Sequence, residues 1–234
     1  MKESKYIGNE LTIFKEAVNW KKYWYNSINK YISGDLLEVG AGIGINTNLI
    51  LQNCQDVKSI VSIEPDKSLA NQIMRNLTGE TSKVTVLNQY LEDLSTDKKF
   101  DTIVYIDVIE HIEDDYSELN KAKLYLKEGG ILIILVPAYN FLFSPFDEAV
   151  GHYRRYNKKM LLKAIPDELS NLNLFYLDSL GVCASLMNKF VLKQSYPSKE
   201  QILNYDRIIV PVSIILDKLT FHLFGKSLVG VWKK

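Results

Sequence analysis

Neither sign of charge dominates this chain: Lys+Arg and Asp+Glu each number 28 among 234 residues, so the formal net charge is zero. A broad basic surface for nucleic acid is therefore not expected, and no nucleic-acid partner is inferred. Cysteine is scarce. Cys54 and Cys183 stand in no metal-type spacing and read as buried thiols of a reducing compartment. No run of about 18 uninterrupted apolar residues occurs, which argues against a membrane-spanning helix. The N-terminus lacks the apolar centre of a signal peptide, so a cytoplasmic location is expected. No repeat, low-complexity tract or linker divides the sequence, and a single domain over 1–234 is expected. At 47% apolar residues the chain carries enough material for a sizeable core.

What the sequence does have is a glycine-rich turn. In LLEVGAGIGIN, Leu36–Asn46, an apolar strand ends at Val39 and Gly40, Gly42 and Gly44 follow at every second position. A tight strand-to-helix turn favours positive φ, which glycine adopts freely, and lets the backbone approach a ligand closely. The helix it opens, about Asn46 to Asn53, points free N–H groups at that ligand. A second apolar strand ends at Glu64, about 20 residues beyond Gly44, where an acid can accept the hydroxyls of a ribose. Glu38 precedes the turn by two residues. Its carboxylate would repel a pyrophosphate and suit an ammonium or sulfonium group. The pattern therefore favours S-adenosyl-L-methionine over NAD.

The rest alternates strands and helices. Strands are expected at Asp35–Val39, Ser59–Ile63, Lys83–Leu87, Asp101–Ile106, Ile131–Val136, Leu172–Leu177 and Ser227–Trp232. Helices are expected near Ser68–Leu77, Ser117–Leu126 and Lys158–Ile165, with Gly129 and Gly130 ending the second. Near-continuous apolar strands imply a parallel sheet buried on both faces, with ligands at its carboxyl ends. Residues 1–34 read as one or two amphipathic helices over the sheet or cleft. Their Trp20, Tyr23, Trp24 and Tyr25 either line a pocket or pack the core. Tyr139–Tyr156 reads as a long loop. Residues 178–226 form an insertion containing an apolar, helical Ile202–Phe224 broken at Pro211. The insertion is a packed cap, a lid, a dimer face or a peripheral membrane contact. Pairing strand six with the last strand gives an antiparallel edge.

These residues resemble class I S-adenosylmethionine-dependent methyltransferases: LEVGAGIG, SIEPD, FDTIVYIDVIEHIEDD and LKEGGILIILVP match the class motifs. Within it, Asp147 to Tyr156 is similar to a subgroup with a D-x-x-x-GH-x-RRY loop. The resemblance implies an α/β, Rossmann-like sheet of seven strands, order 3-2-1-4-5-7-6, with strand 7 antiparallel. N-terminal helices span 1–34, the cofactor-binding core 35–177, the helical insertion 178–226 and the last strand 227–234. It also implies cofactor contacts. Gly40, Ala41, Gly42 and Gly44 would wrap the methionine part, and Glu38 would reach its ammonium. Glu64 would bind the ribose. Pro65, Asp66, Gln89, Tyr90 and Leu91 would flank the adenine, Tyr90 standing where many relatives carry Asp. Asp107, where the subgroup commonly has Asn, would lie at the methionine end.

Methyl transfer to a hydroxyl needs a base; an amine only needs to be unprotonated. His111 and His152, both at strand carboxyl ends, are the candidate bases. The third histidine, His222, has no evident partner. Arg154, Arg155 and Tyr156 are candidates to grip an anionic or polar acceptor. No metal is expected as the main reading. The alternative is a cluster of Asp107, Glu110, His111 and His152, similar in spacing to that of metal-dependent O-methyltransferases. The acceptor reads as an O or N atom of a small molecule, sugar or lipid-linked glycan. An NAD-dependent oxidoreductase and a non-catalytic cofactor-binding partner subunit remain as other readings.

Overall fold

The structure, a computed structural model, describes residues 14–234. The first part of the 1–34 segment therefore lies outside the described residues. Seven strands form one sheet: β1 Gly34–Val39, β2 Val57–Ile63, β3 Val84–Leu87, β4 Phe100–Ile106, β5 Leu126–Pro137, β6 Ser170–Leu177 and β7 Ser227–Lys233. Their order is 3-2-1-4-5-7-6. β1 to β5 run parallel, whereas β7 pairs antiparallel with both β5 and β6.

Helices cover both faces, as the apolar strands require. The helices are α1 Val18–Ile28, α2 Ile45–Asn53, α3 Lys67–Asn76, α4 Asp115–Tyr125, α5 Pro145–Val150, α6 Lys158–Ala164, α7 Ser179–Met187, α8 Lys199–Asn204 and α9 Val210–Leu219. Successive strand side chains point to opposite faces. Leu36 and Leu37 thus enter two separate cores. Leu36 packs with Ile28, Ile60 and Ile133, and Leu37 with Ile103, Leu119 and Ile134. α1 contributes Tyr23, Trp24, Tyr25 and Ile28 to the first core.

Four local expectations are corrected. β5 starts at Leu126, directly after α4, so Gly129 and Gly130 lie inside the strand rather than ending the helix; Gly129 N–H bonds Lys234 O. The Tyr139–Tyr156 segment contains α5, capped by Ser144 with Asp147 three residues on. Pro211 does not break the helix. The backbone passes through a π turn, Tyr205–Ile209, which ends two residues before Pro211 and accommodates its missing N–H. Cys54 is half-buried, but Cys183 is exposed rather than buried. No described helix is long and apolar enough to cross a membrane.

Candidate active site

At the carboxyl ends of the parallel strands the chain leaves a cavity of about 530 Å³, within the size range of ligand pockets. The glycine turn forms one wall. Gly40 (φ 69), Gly42 (φ 57) and Gly44 (φ 82) all occupy the left-handed region. A Cβ on Gly40 would fall 2.7 Å from Val108 Cγ2, so the turn can close only around glycine. Gly40, Ala41 and Gly42 line the cavity with Asp107, Glu110, His111, His152 and Arg155.

Beneath the turn lies Glu38. Its Oε2 accepts hydrogen bonds from Thr47 and from Ser62 (3.1 Å), while Oε1 has no partner. Burial pushes its carboxyl up to about 7 despite those two bonds. Glu64 is engaged by the turn itself. Gly42 N–H donates to Oε2 at 2.8 Å and Asp66 N–H to Oε1 at 2.9 Å. Each carboxylate oxygen retains a second lone pair for a hydroxyl.

The adenine candidates divide. Asp66 caps α3, accepting from Ser68 N and Leu69 N at 2.7 and 3.0 Å. Pro65 and Gln89 are half-buried at the ends of β2 and β3, and Tyr90 is 45% exposed. Leu91 is a correction: its side chain is buried in the core beside Leu94 and Tyr125. These residues and Glu64 do not line the 530 Å³ cavity. Asn88, which the sequence reading passed over, donates to Glu64 O and Pro65 O, both at 2.9 Å, and ties β3 to this edge.

Asp107 follows β4 with φ 54, a backbone region that Asp and Asn enter more readily than other residues. Asp107 is exposed and lines the cavity. Desolvation pushes its carboxyl up to about 6, against the opposing pull of His152, Lys226 and Arg155. Glu110 is fully buried and neither carboxylate oxygen has a hydrogen-bond partner. Burial, with Asp107 nearby, holds its carboxyl well above the ordinary range. Burial lowers His111 to about 4, with neighbouring His152 adding to the effect, so His111 is neutral at pH 7. The two imidazoles meet edge to face, 4.5 Å between centroids.

His152 is oriented by Asp147. His152 Nδ1 is 2.8 Å from Asp147 Oδ1, and Arg155 Nε and Nη2 donate to the same carboxylate at 2.7 and 2.9 Å. Burial alone would raise Asp147; these hydrogen bonds outweigh it and hold the carboxyl at about 2. An ionised Asp147 only accepts, so Nδ1 carries the proton. Nε2, the other ring nitrogen, lies 3.9 Å from Glu110 Oε1.

Of the three candidate acceptor contacts, only Arg155 lines the cavity, with Nη1 unpartnered. Arg154 instead pairs with Asp115 at 2.9 Å and donates to Glu113 O at 2.6 Å. Tyr156 is buried and donates to Asp115 at 2.6 Å. The segment is extended, Tyr156 bridging Ala138, so neighbouring side chains alternate and Arg155 faces opposite to Arg154 and Tyr156.

Glu110, His111 and His152 offer ligand atoms within 4.8 Å of one another; Asp107 is not in that group. A buried carboxylate with no partner calls for a proton or a cation. The residues therefore fit a divalent ion with N and O donors.

Lys226 was missed. Its ammonium lies 3.3 Å from Asp178 and over the rings of Tyr205 and Trp20, at 4.4 and 5.7 Å. The missed signal was topological. An antiparallel last strand begins where the parallel strands end, and Ser227 pairs with Pro137. Asp206 was missed too: it accepts Asn19 N and Trp20 N at 3.0 and 2.8 Å and so caps the α1 end from the insertion. Trp20 and Trp24 line the cavity, and Trp24 also packs the core. His222 has a partner after all, Tyr176 O, 3.1 Å from Nδ1.

Comparison with known proteins agrees with this architecture. The chain is 31% identical over 114 residues to a ubiquinone biosynthesis O-methyltransferase of Rickettsia bellii (strain OSU 85-389), covering 48% of this chain and 45% of that protein. The match thus spans less than half the length of that curated relative. Among solved structures, the N-methyltransferase NodS from Bradyrhizobium japonicum WM9, in complex with S-adenosyl-L-homocysteine, superposes with TM-score 0.62. That match has 12% identity and covers 97% of this chain and 93% of NodS. A SAM-dependent methyltransferase from Archaeoglobus fulgidus gives TM-score 0.60 at 16% identity, covering 96% and 97% of the two chains. A family model described as a methyltransferase domain matches residues 26–187, more than half of the chain. With the seven-stranded order and the glycine turn already established, the chain belongs to the methyltransferase-domain family.

Proposed function

We propose that the protein transfers the methyl group of S-adenosyl-L-methionine to an O or N atom of a small molecule, sugar or lipid-linked glycan, with His152 as the base. The observation that carries this reading is the Asp147–His152 pair, with His152 lining the cavity beside the glycine turn. The cofactor fits the turn in two ways. Glu38 Oε1 is a buried, unpaired acceptor suited to an ammonium, and the Glu64 oxygens keep lone pairs for ribose hydroxyls. When bound it supplies an electrophilic methyl on sulfonium sulfur and departs as a neutral thioether.

The chain does the rest. Asp147 holds the tautomer. His152 Nε2 takes the proton that a hydroxyl acceptor loses as its oxygen attacks. Arg155, which lines the cavity and is held in place by Asp147, sets a fixed positive charge beside the acceptor. Trp20 and Trp24 give the cavity an apolar wall. A second reading rests on Glu110. Its two unpaired oxygens, with His111 and His152, would hold a divalent ion that binds the acceptor oxygen and lowers its pKa.

The test is transfer of tritiated methyl to a panel of phenols, catechols, sugars and amines, with and without chelator. The base reading predicts transfer that survives chelator and falls at least about 100-fold in His152→Gln. Transfer abolished by chelator and restored by magnesium establishes the metal reading instead. Failure of the protein to bind S-adenosyl-L-homocysteine overturns both.

A further inference from the structure

The insertion carries α9 inside out. From the π turn through α9, Ile208, Val212, Ile215 and Leu219 recur about one helical turn apart and are 61, 43, 61 and 69% exposed. The buried side of α9 holds Val210, Ser213 and Asp217. A surface helix normally buries its apolar stripe and shows its polar face. Here buried polar groups satisfy other elements: Asp217 accepts from Asp178 N and Ser179 N, and Ser213 donates to Asp178. The apolar side chains are left in solvent.

The pattern continues beyond α9. Phe221 and Leu223 are 82 and 67% exposed. Phe221 (φ 52) and His222 (φ 55) sit in the left-handed region, rare for bulky residues, and His222 N–H is held by Asp217 O at 2.8 Å. α7 packs beside α9. Its Ser185, and Asn188 just beyond it, line the cavity, while Met187, Phe190 and Val191 are exposed. So many large apolar side chains on adjoining elements mark a contact surface.

Charge identifies what covers it. The insertion, 178–226, has four acids, and Asp178, Asp206 and Asp217 are buried, leaving Glu200 alone on the surface. Against it stand Lys189, Lys193, Lys199, Arg207 and Lys218, in a chain whose net charge is zero. Only Lys199 among these has an ion-pair partner within the described residues, Glu16 at 2.5 Å. An apolar stripe bordered by cations suits the boundary of an anionic bilayer. A second copy of the chain would set these cations against each other.

We propose that this face docks on an anionic lipid bilayer, with the α9 stripe and Phe221 in the headgroup boundary and Lys193, Arg207 and Lys218 on lipid phosphates. Docking does not depend on the cofactor or on catalysis. It sets α7 between the bilayer and the cavity, with Leu192 touching the cavity while 46% exposed.

The experiment is flotation of the full chain with phosphatidylcholine vesicles, with and without phosphatidylglycerol. Binding to the anionic vesicles is expected to be at least about tenfold tighter than to the neutral ones, and to weaken at least about fivefold for each cation reversed in Arg207→Glu and Lys218→Glu. The double variant Ile215→Ser, Leu219→Ser is expected to lose at least about tenfold. Both positions are exposed, and unchanged circular dichroism shows that the variants are folded. Absence of flotation by the wild type, or flotation equal in all variants, overturns the proposal. So does light scattering showing a wild-type dimer that this double variant converts to a monomer, because the occupant is then a second copy.

Discussion

His152 Nδ1 lies 2.8 Å from Asp147 Oδ1, and the same carboxylate receives two hydrogen bonds from Arg155. Asp147 on α5, itself held by Arg155 from the segment that follows, thus orients the His152 imidazole. Asp147→Asn removes the acceptor-only partner and lets the ring turn or change tautomer. The expected outcome is a fall in kcat of at least about 100-fold. Affinity for S-adenosyl-L-homocysteine should stay within about threefold, because Asp147 does not belong to the glycine turn. Steady-state kinetics beside calorimetry separates the two effects.

Arg155 and Arg154 are adjacent in sequence and differ in structure, so their alanine variants should differ in stability. Arg155→Ala leaves Asp147 buried without its main counter-charge and should cost about 3–5 kcal/mol. Arg154→Ala breaks a partly exposed pair with Asp115 and should cost no more than about 1 kcal/mol. Urea unfolding midpoints measure both.

Two buried groups give the fold opposite pH dependences. Burial raises Glu38 from 4.5 to about 7. A carboxyl raised in the folded state favours folding below its unfolded pKa, and this contribution is lost as pH climbs through the folded value. The loss amounts to about 3 kcal/mol. Glu38→Gln does not titrate, so the variant should gain on the wild type by that amount between about pH 4 and pH 8. His111, lowered from 6.5 to about 4, contributes stability that is present above 6.5 and lost as pH falls through 4. His111→Asn should therefore flatten the acid side of the profile. Urea titrations across this range check both signs.

Asp206 joins the insertion to α1 through two backbone N–H groups. Asp206→Ala should cost about 1–2 kcal/mol, as loss of a helix cap does. A thermal midpoint lower by about 2–8 °C is expected. Proteolysis should then find α1 before it finds the sheet.

The strands were legible because each is a nearly continuous apolar run, and both faces of the sheet proved covered. The turn was legible because glycine and acid stand at spacings that few other structures require. Side-chain direction in the loop was not. Arg154, Arg155 and Tyr156 share one motif, and only the Tyr156–Ala138 bridge decides which of them faces the cavity. Lys226 was hidden for a related reason. A lone lysine near the end of the chain carries no local pattern, and its place follows from strand direction. Pro211 misled because proline usually ends a helix, whereas a preceding π turn absorbs it here. Leu91 misled because its position after β3 suggested a ligand edge while its side chain fills the core.

The most direct test of cofactor use is calorimetric titration with S-adenosyl-L-homocysteine on wild type and Glu64→Ala, with NADH in parallel. Wild type should bind S-adenosyl-L-homocysteine, and Glu64→Ala should bind at least about tenfold more weakly, roughly 1.4 kcal/mol. NADH should not bind. Binding of NADH without S-adenosyl-L-homocysteine would contradict the account and make the glycine turn a dinucleotide site.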